Sequence, residues 1–219
     1  MAADRTLTGG DDRAAGDPAP AEKTPEFNLP NVLTGLRIVM VPFFVWAMWT
    51  GGPWGGDSTT ARWIAVALFV VAMYTDKLDG DLARARGLVT DFGKIADPIA
   101  DKLLTGSALV LFSLLGELWW WVTAVILVRE WGITLMRFVV IRYGVMPAGR
   151  GGKLKTVLQA AGIGLLLMPL APVLGGWWPW LGWTVIGAAT VLTVLTGVEY
   201  VRDAVRLRRD WLAEHGGAR

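Results

Sequence analysis

The chain has 219 residues, of which 53% are apolar and 18% charged, with a mean hydropathy of +0.45 and a net charge of +2. Soluble domains normally carry about 45 to 50% apolar and about a quarter charged residues, so these proportions argue against a soluble fold of this length. There is no cysteine, and the one histidine is His215 in the charged end of the chain, which excludes disulfides, thiol nucleophiles, Fe–S clusters and cysteine zinc sites and leaves the core without a histidine for a Ser-His-Asp triad or a metal.

The remaining chemistry belongs to carboxylates, arginine and lysine, or to a metal ion with oxygen ligands. The mildly basic pI, near 9.1, bears on membrane orientation rather than on nucleic acid, which is not expected as a partner. Residues 1–26 are rich in Ala, Gly, Pro and Asp and hold almost no large apolar side chain. Such a segment buries too little surface to offset its ordering entropy, and a disordered cytoplasmic tail is expected; it has no continuous apolar stretch of the kind a secretory signal needs.

Six apolar runs follow, roughly Val32 to Trp49, Trp63 to Asp79, Pro98 to Leu115, Trp120 to Val140, Val157 to Leu174 and Leu181 to Tyr200. At 1.5 Å per residue, crossing about 30 Å of hydrocarbon takes roughly 20 residues, so each run is a candidate span. Short links argue for antiparallel neighbours. The expected fold class is therefore an all-α integral membrane protein, six transmembrane helices in one bundle. The membrane domain covers residues 27–200, and a basic cytoplasmic tail covers 201–219. No internal repeat is visible.

Lysine and arginine set the orientation. The first tail, the second-to-third and fourth-to-fifth links and the last tail hold sixteen of them, whereas the other three links hold only Arg62. Both termini and the two charged links are expected in the cytoplasm. Eleven of the thirteen tryptophans lie at the opposite helix ends, where an aromatic belt sits.

The chemistry concentrates between residues 76 and 101. Helix positions three apart differ by about 60° around the axis and positions four apart by about 40°, so Asp76, Asp79, Gly80 and Ala83 share a stripe at the cytoplasmic end of the second span. Gly93, Asp97 and Asp101 share another if the third helix begins before Pro98 or close to it. Adjacent antiparallel helices then gather four carboxylates, which cannot all stay ionised unassisted. Two divalent cations balance that charge, and hard oxygen ligands suit Mg²⁺ or Mn²⁺. The small residues open the inner face for helix packing or for a bulky anion. Asp81 and Asp91 fall off both stripes. Any one of these aspartates alone reads as a helix cap or a solvated charge; four on matched stripes do not. Lys102 reads as a snorkelling or neutralising lysine, and Arg150, Lys153 and Lys155 are explained by the positive-inside bias as readily as by a site.

The run from Asp76 to Asp101 resembles the CDP-alcohol phosphatidyltransferase signature, Asp-x2-Asp-Gly-x2-Ala-Arg-x8-Gly-x3-Asp-x3-Asp, at all eight fixed positions. Further stretches are similar to the phosphatidylglycerophosphate synthase branch: Asn28-Leu-Pro-Asn-Val-Leu-Thr34-Gly-Leu-Arg37, Val89-Thr-Asp-Phe-Gly-Lys, Arg129-Glu130, and Gly152-Lys153-Leu-Lys155-Thr156. The resemblance covers about residues 27 to 200 and leaves out both tails. It implies a six-helix enzyme of the bacterial cytoplasmic membrane that transfers a phosphatidyl group from CDP-diacylglycerol to glycerol 3-phosphate, its active site facing the cytoplasm, and it suggests a homodimer.

On that footing Asp76, Asp79 and Asp97 are expected as metal ligands and Asp101 as general base, also touching an ion. Asp76, Gly80, Ala83, Arg84 and Gly93 are expected to line the CDP site. Arginine suits phosphate oxygens, and arginines inside an apolar helix need an anionic partner; Arg129 and Arg137, with Lys153 and Lys155, are the candidates for the acceptor phosphate. Glu130 is the structural alternative, an internal partner holding Arg129. Within the family the alternative acceptors are inositol phosphate, serine or phosphatidylglycerol. From other classes, a cation transporter expects acids near the midplane and broken helices, and a non-catalytic scaffold leaves the aspartate spacing unexplained.

Overall fold

The computed structural model describes the backbone of residues 29–86, 91–140 and 150–215, and the side chains of 32–78, 99–136 and 152–213. The expected disordered tail, residues 1–26, lies outside the described residues. Within them the chain is helical and has no strand: α1 (Leu29–Gly51), α2 (Thr59–Arg86), α3 (Asp91–Leu114), α4 (Trp120–Val140), α5 (Arg150–Leu167), the short α6 (Ala171–Leu174) and α7 (Trp177–His215), with a 3-10 turn at Pro53–Gly55. Two stretches are long and apolar enough to cross a membrane, Val32–Gly51 and Trp177–Ala213.

Proline explains one departure from the apolar runs. The fifth was expected to continue to Leu174, but α5 ends at Leu167 and a separate turn follows. Pro169 has no backbone N–H to donate and its ring disfavours helical geometry just before it, so Met168 cannot extend α5. The sixth run departs the other way. α7 carries on through Tyr200 to His215, because loss of hydropathy marks the edge of an apolar zone rather than the end of a helix.

α1 packs against α2 and α3, α5 against α7, and α4 against α7 and α3. Phe44 and Met48 of α1, Phe69 of α2, Leu104 and Phe112 of α3 and Ile163 of α5 belong to one buried cluster. Gly162 and Gly182 bring α5 and α7 together. A Cβ at Gly162 would lie 3.0 Å from the Ile186 backbone nitrogen, and one at Gly182 would lie 2.6 Å from the Leu166 side chain. Small residues at a helix crossing supply the close packing that drives association where the surroundings are as apolar as the interior. The outside is apolar too, with Phe43, Trp46, Val128, Leu135, Val191 and Leu195 exposed, while Arg37, Arg62, Glu117, Lys155 and Gln159 are buried. A lipid solvent selects such a distribution.

At the end of the bundle carrying the α1–α2 turn, the buried polar groups form a clasp. Arg62 Nη2 lies 2.5 Å from Glu117 Oε2, both side chains fully enclosed. Arg62 also donates to the carbonyls of Leu166 and Leu167, at 3.1 and 2.9 Å, where α5 ends. Glu117 accepts from the Trp54 backbone N–H at 2.8 Å, and its carbonyl accepts from Trp183 Nε1 at 2.7 Å. The guanidinium stands 5.5 Å from the Phe112 ring centre. Burial pushes the Glu117 carboxyl above its ordinary range, and Arg62 and the Trp54 N–H pull it part of the way back. The ion pair thus joins α2, the α3–α4 turn and the end of α5, and the Glu117 carbonyl adds the start of α7.

Candidate functional site

The opposite end of the bundle carries the aspartates. α2 runs unbroken past Asp76, Asp79, Gly80 and Ala83 to Arg86, and α3 begins at Asp91, seven residues before Pro98. The helical condition behind both stripes is therefore met by the backbone, and α2 touches α3. The side chains of Asp79, Ala83, Arg84, Asp97 and Arg137, and the surroundings of Gly80 and Gly93, lie outside the described residues. Two of the four aspartates can be followed to their carboxylates.

Asp76 is held from α1. Arg37 Nη1 lies 2.8 Å from Asp76 Oδ1, the guanidinium being 1% and the carboxylate 40% exposed. Asp101, on α3, is half-buried, and its backbone carbonyl accepts from the Thr105 hydroxyl at 2.8 Å. Carboxylates are hard oxygen donors, the chemistry that Mg²⁺ or Mn²⁺ requires. Among the described residues no group of three metal-ligating side chains occurs, and the donor set counts four only with Asp79 and Asp97.

α4, α5 and α7 bring a second charged cluster together. Lys155 is buried and its ammonium donates to Glu130 Oε1. Arg129 Nη1 donates to the same oxygen at 3.1 Å, and Arg129 Nη2 donates to Thr196 Oγ1 at 2.9 Å. Gly197 leaves room for the arginine, since a Cβ there would stand 3.2 Å from Arg129 Cγ. Burial pushes the Lys155 amine below the usual lysine range against the pull of Glu130, and Asp101 also acts on it. Lys153, two positions away, is exposed. Of the four acceptor-phosphate candidates, Arg129 and Lys155 are thus brought together through Glu130, the internal partner foreseen as the structural alternative for Arg129, and Lys153 is set apart.

The motifs assign no role to Arg37, although it stands in one of them, nor to Gln159 and Thr193. The latter two are buried, and Gln159 Oε1 and Thr193 Oγ1 have no hydrogen-bond partner. Polar residues within an apolar run are the signal that would have found them. A groove of about 650 Å³, almost wholly apolar, runs between α4 and α7, lined by Val125, Val128, Val194 and Val198, with Arg129 and Arg202 also among its lining residues.

Comparison with known proteins agrees in kind with the motif. The family profile described as CDP-alcohol phosphatidyltransferase matches residues 27–195. A probable phosphatidylglycerophosphate synthase of Mycobacterium tuberculosis (strain H37Rv in ATCC 25618) is 52% identical over 179 residues, 82% of either chain. A CDP-diacylglycerol--glycerol-3-phosphate 3-phosphatidyltransferase of Bacillus subtilis (strain 168) is 36% identical over 181 residues, 80% of this chain and 93% of the relative. A protein of the same name from Shigella flexneri serotype 5b is 33% identical over 187 residues, 82% and 96% of the two chains.

Proposed function

Because the chain belongs to the CDP-alcohol phosphatidyltransferase family, we propose that it transfers the phosphatidyl group of CDP-diacylglycerol to glycerol 3-phosphate, giving phosphatidylglycerol phosphate and CMP. The observation that carries this reading is the signature run from Asp76 to Asp101 on two helices that touch, together with the paired cations Arg129 and Lys155 gathered by Glu130 on α4 and α5. A donor pyrophosphate needs the first neighbourhood, an acceptor phosphate needs the second, and a base must stand between them. The relatives' printed names point to the same pair of substrates.

In this reading six long helices, all but α6, span the bacterial cytoplasmic membrane, both termini and the aspartate end face the cytoplasm, and the enzyme acts as a homodimer. The sixteen-to-one distribution of basic residues between the two sets of links supports the orientation. Asp76, Asp79, Asp97 and Asp101 would hold two divalent cations, which supply charge neutralisation on the pyrophosphate oxygens of the donor. Arg37 fixes Asp76 from behind. Gly80, Ala83 and Gly93 let the cytidine diphosphate approach the backbone, and Arg84 pairs with its phosphate. The α4–α7 groove suits an acyl chain.

Asp101 accepts the proton of the acceptor hydroxyl as that oxygen bonds to the phosphorus carrying diacylglycerol. The bond from this phosphorus to the bridging oxygen breaks, and CMP leaves with the bonding pair. Arg129 and Lys155, with Arg137 and Lys153, hold the acceptor's own phosphate. The hydroxyl is a very weak acid, so a positioned base is worth about 10²- to 10⁴-fold in rate.

The test is CMP release from CDP-diacylglycerol by the purified chain with Mg²⁺ or Mn²⁺ and a panel of acceptors. Glycerol 3-phosphate is expected to be the preferred acceptor, and Asp101→Asn is expected to lose turnover by about 10²-fold or more while still binding the donor. No release with any acceptor rejects the enzyme class; release only with inositol phosphate, serine or phosphatidylglycerol rejects the acceptor; near-normal turnover by Asp101→Asn removes the base.

A further inference from the structure

We propose that Glu130 is a resident counter-anion, standing in for the acceptor phosphate between Lys155 and Arg129 and giving way when that phosphate arrives. The inference rests on the reaction proposed above and adds to it how the acceptor site is kept charged while empty and how phosphorylated acceptors are selected.

The side chain of Lys155 is 5% exposed. An isolated buried cation is costly and tends to lose its proton, so a site meant to receive a phosphate must keep an anion beside the lysine until then. Glu130 is that anion. It takes Lys155 and Arg129 through one oxygen, Oε1, and at 21% exposure it is the more accessible member of its pair with Lys155. The Arg129 contact is not one that a helix supplies by itself, because adjacent positions point about 100° apart. It arises because the arginine threads the gap left by Gly197 towards Thr196.

The pocket also holds unused hydrogen-bonding capacity. Arg129 Nε is buried without a partner. The antiparallel register of α5 and α7, set by Gly162 against Ile186 and Gly182 against Leu166, brings Thr193 level with Lys155 and leaves Gln159 one turn deeper. Thr193 Oγ1 and Gln159 Oε1 are buried without partners as well. A phosphate monoester carries about −1.5 to −2 charge and three strong acceptor oxygens. It can engage Lys155 and the spare Arg129 donor together, which one carboxylate oxygen does not. A hydroxyl-only acceptor brings no charge to displace Glu130 and leaves the two cations occupied.

The experiment uses the full chain in nanodiscs, with Glu130→Gln and Glu130→Asp, and inorganic phosphate as the probe. Without phosphate, Glu130→Gln is expected to melt below the wild type. Phosphate is expected to restore most of the loss, with a half-saturating concentration about tenfold lower than for the wild type, since it no longer competes with an internal anion. An unchanged or higher half-saturating concentration, or lost stability that phosphate leaves unrestored, makes Glu130 a plain structural brace and overturns the proposal. Should Glu130→Gln fail to fold, Glu130→Asp keeps the charge but draws it back by one methylene. Its KM for glycerol 3-phosphate is then expected to fall severalfold, and an equal or higher KM overturns the proposal. The phosphate titration needs no CDP-diacylglycerol, so it judges Glu130 separately from the reaction, which stands or falls on wild-type CMP release.

Discussion

Arg37 of α1 and Asp76 of α2 form an ion pair of unequal partners, 2.8 Å apart, with the arginine enclosed and the aspartate open on one side. The buried member has no route to solvent, so it fixes the carboxylate, while the aspartate stays half-exposed. A partner arranged in this way orients a ligand without occupying the ligand's own position.

Arg37→Ala is therefore expected to lower activity about 10- to 100-fold, the range found when a residue supporting a metal ligand is removed. The metal concentration giving half-maximal rate should rise, and the KM for glycerol 3-phosphate should hardly move. Arg37→Lys should recover part of the loss, because it restores the charge but not the planar fork. A change confined to the acceptor KM would show that Arg37 serves another part of the site.

The Arg62–Glu117 clasp makes a prediction about stability alone. Glu117→Ala leaves a guanidinium enclosed without its carboxylate, which costs about 3 to 5 kcal/mol when a buried pair is broken from one side. Replacing both at once, Arg62→Met with Glu117→Leu, should cost distinctly less. Unfolding in detergent by heat or denaturant measures this, and the folded fraction of each variant should retain its turnover per molecule, because the clasp lies at the end of the bundle away from the aspartates.

Lys155 makes a prediction about pH. Burial lowers its proton affinity, so as pH rises the ammonium is lost earlier than from an ordinary lysine, and in the proposed site an acceptor phosphate then loses a cation. The kcat/KM for glycerol 3-phosphate, which reports the free enzyme, should fall on the alkaline side. In Lys155→Arg the charge persists, and that limb should move to higher pH. An identical limb in the variant would assign it to another group.

Much of this architecture is legible from periodicity. Asp76, Asp79 and Gly80 announce a shared face because a single helix carries them, and α2 proves unbroken there. The start of α3 at Asp91 meets the condition that Asp97 and Asp101 needed. Pairings between distant segments leave no such trace. Arg62 reads in the sequence as one stray charge on the basic-poor side, yet its partner Glu117 stands 55 residues away. Lys155 reads as a charge near a membrane edge, yet it reaches Glu130 across 25 residues. Hydropathy also misplaces helix ends, since it registers neither the missing N–H of Pro169 nor the continuation of α7 into a charged segment.

The most direct measurement of the central claim is Mn²⁺ binding, followed by electron paramagnetic resonance on the full chain in nanodiscs with CDP-diacylglycerol present. Asp76→Asn, Asp79→Asn and Asp97→Asn are each expected to weaken binding by about tenfold or more, whereas Asp101→Asn, which removes the base, is expected to weaken it least. If a variant lacking all four carboxylates bound Mn²⁺ as tightly as the wild type, the acidic stripes of α2 and α3 would not be the metal site.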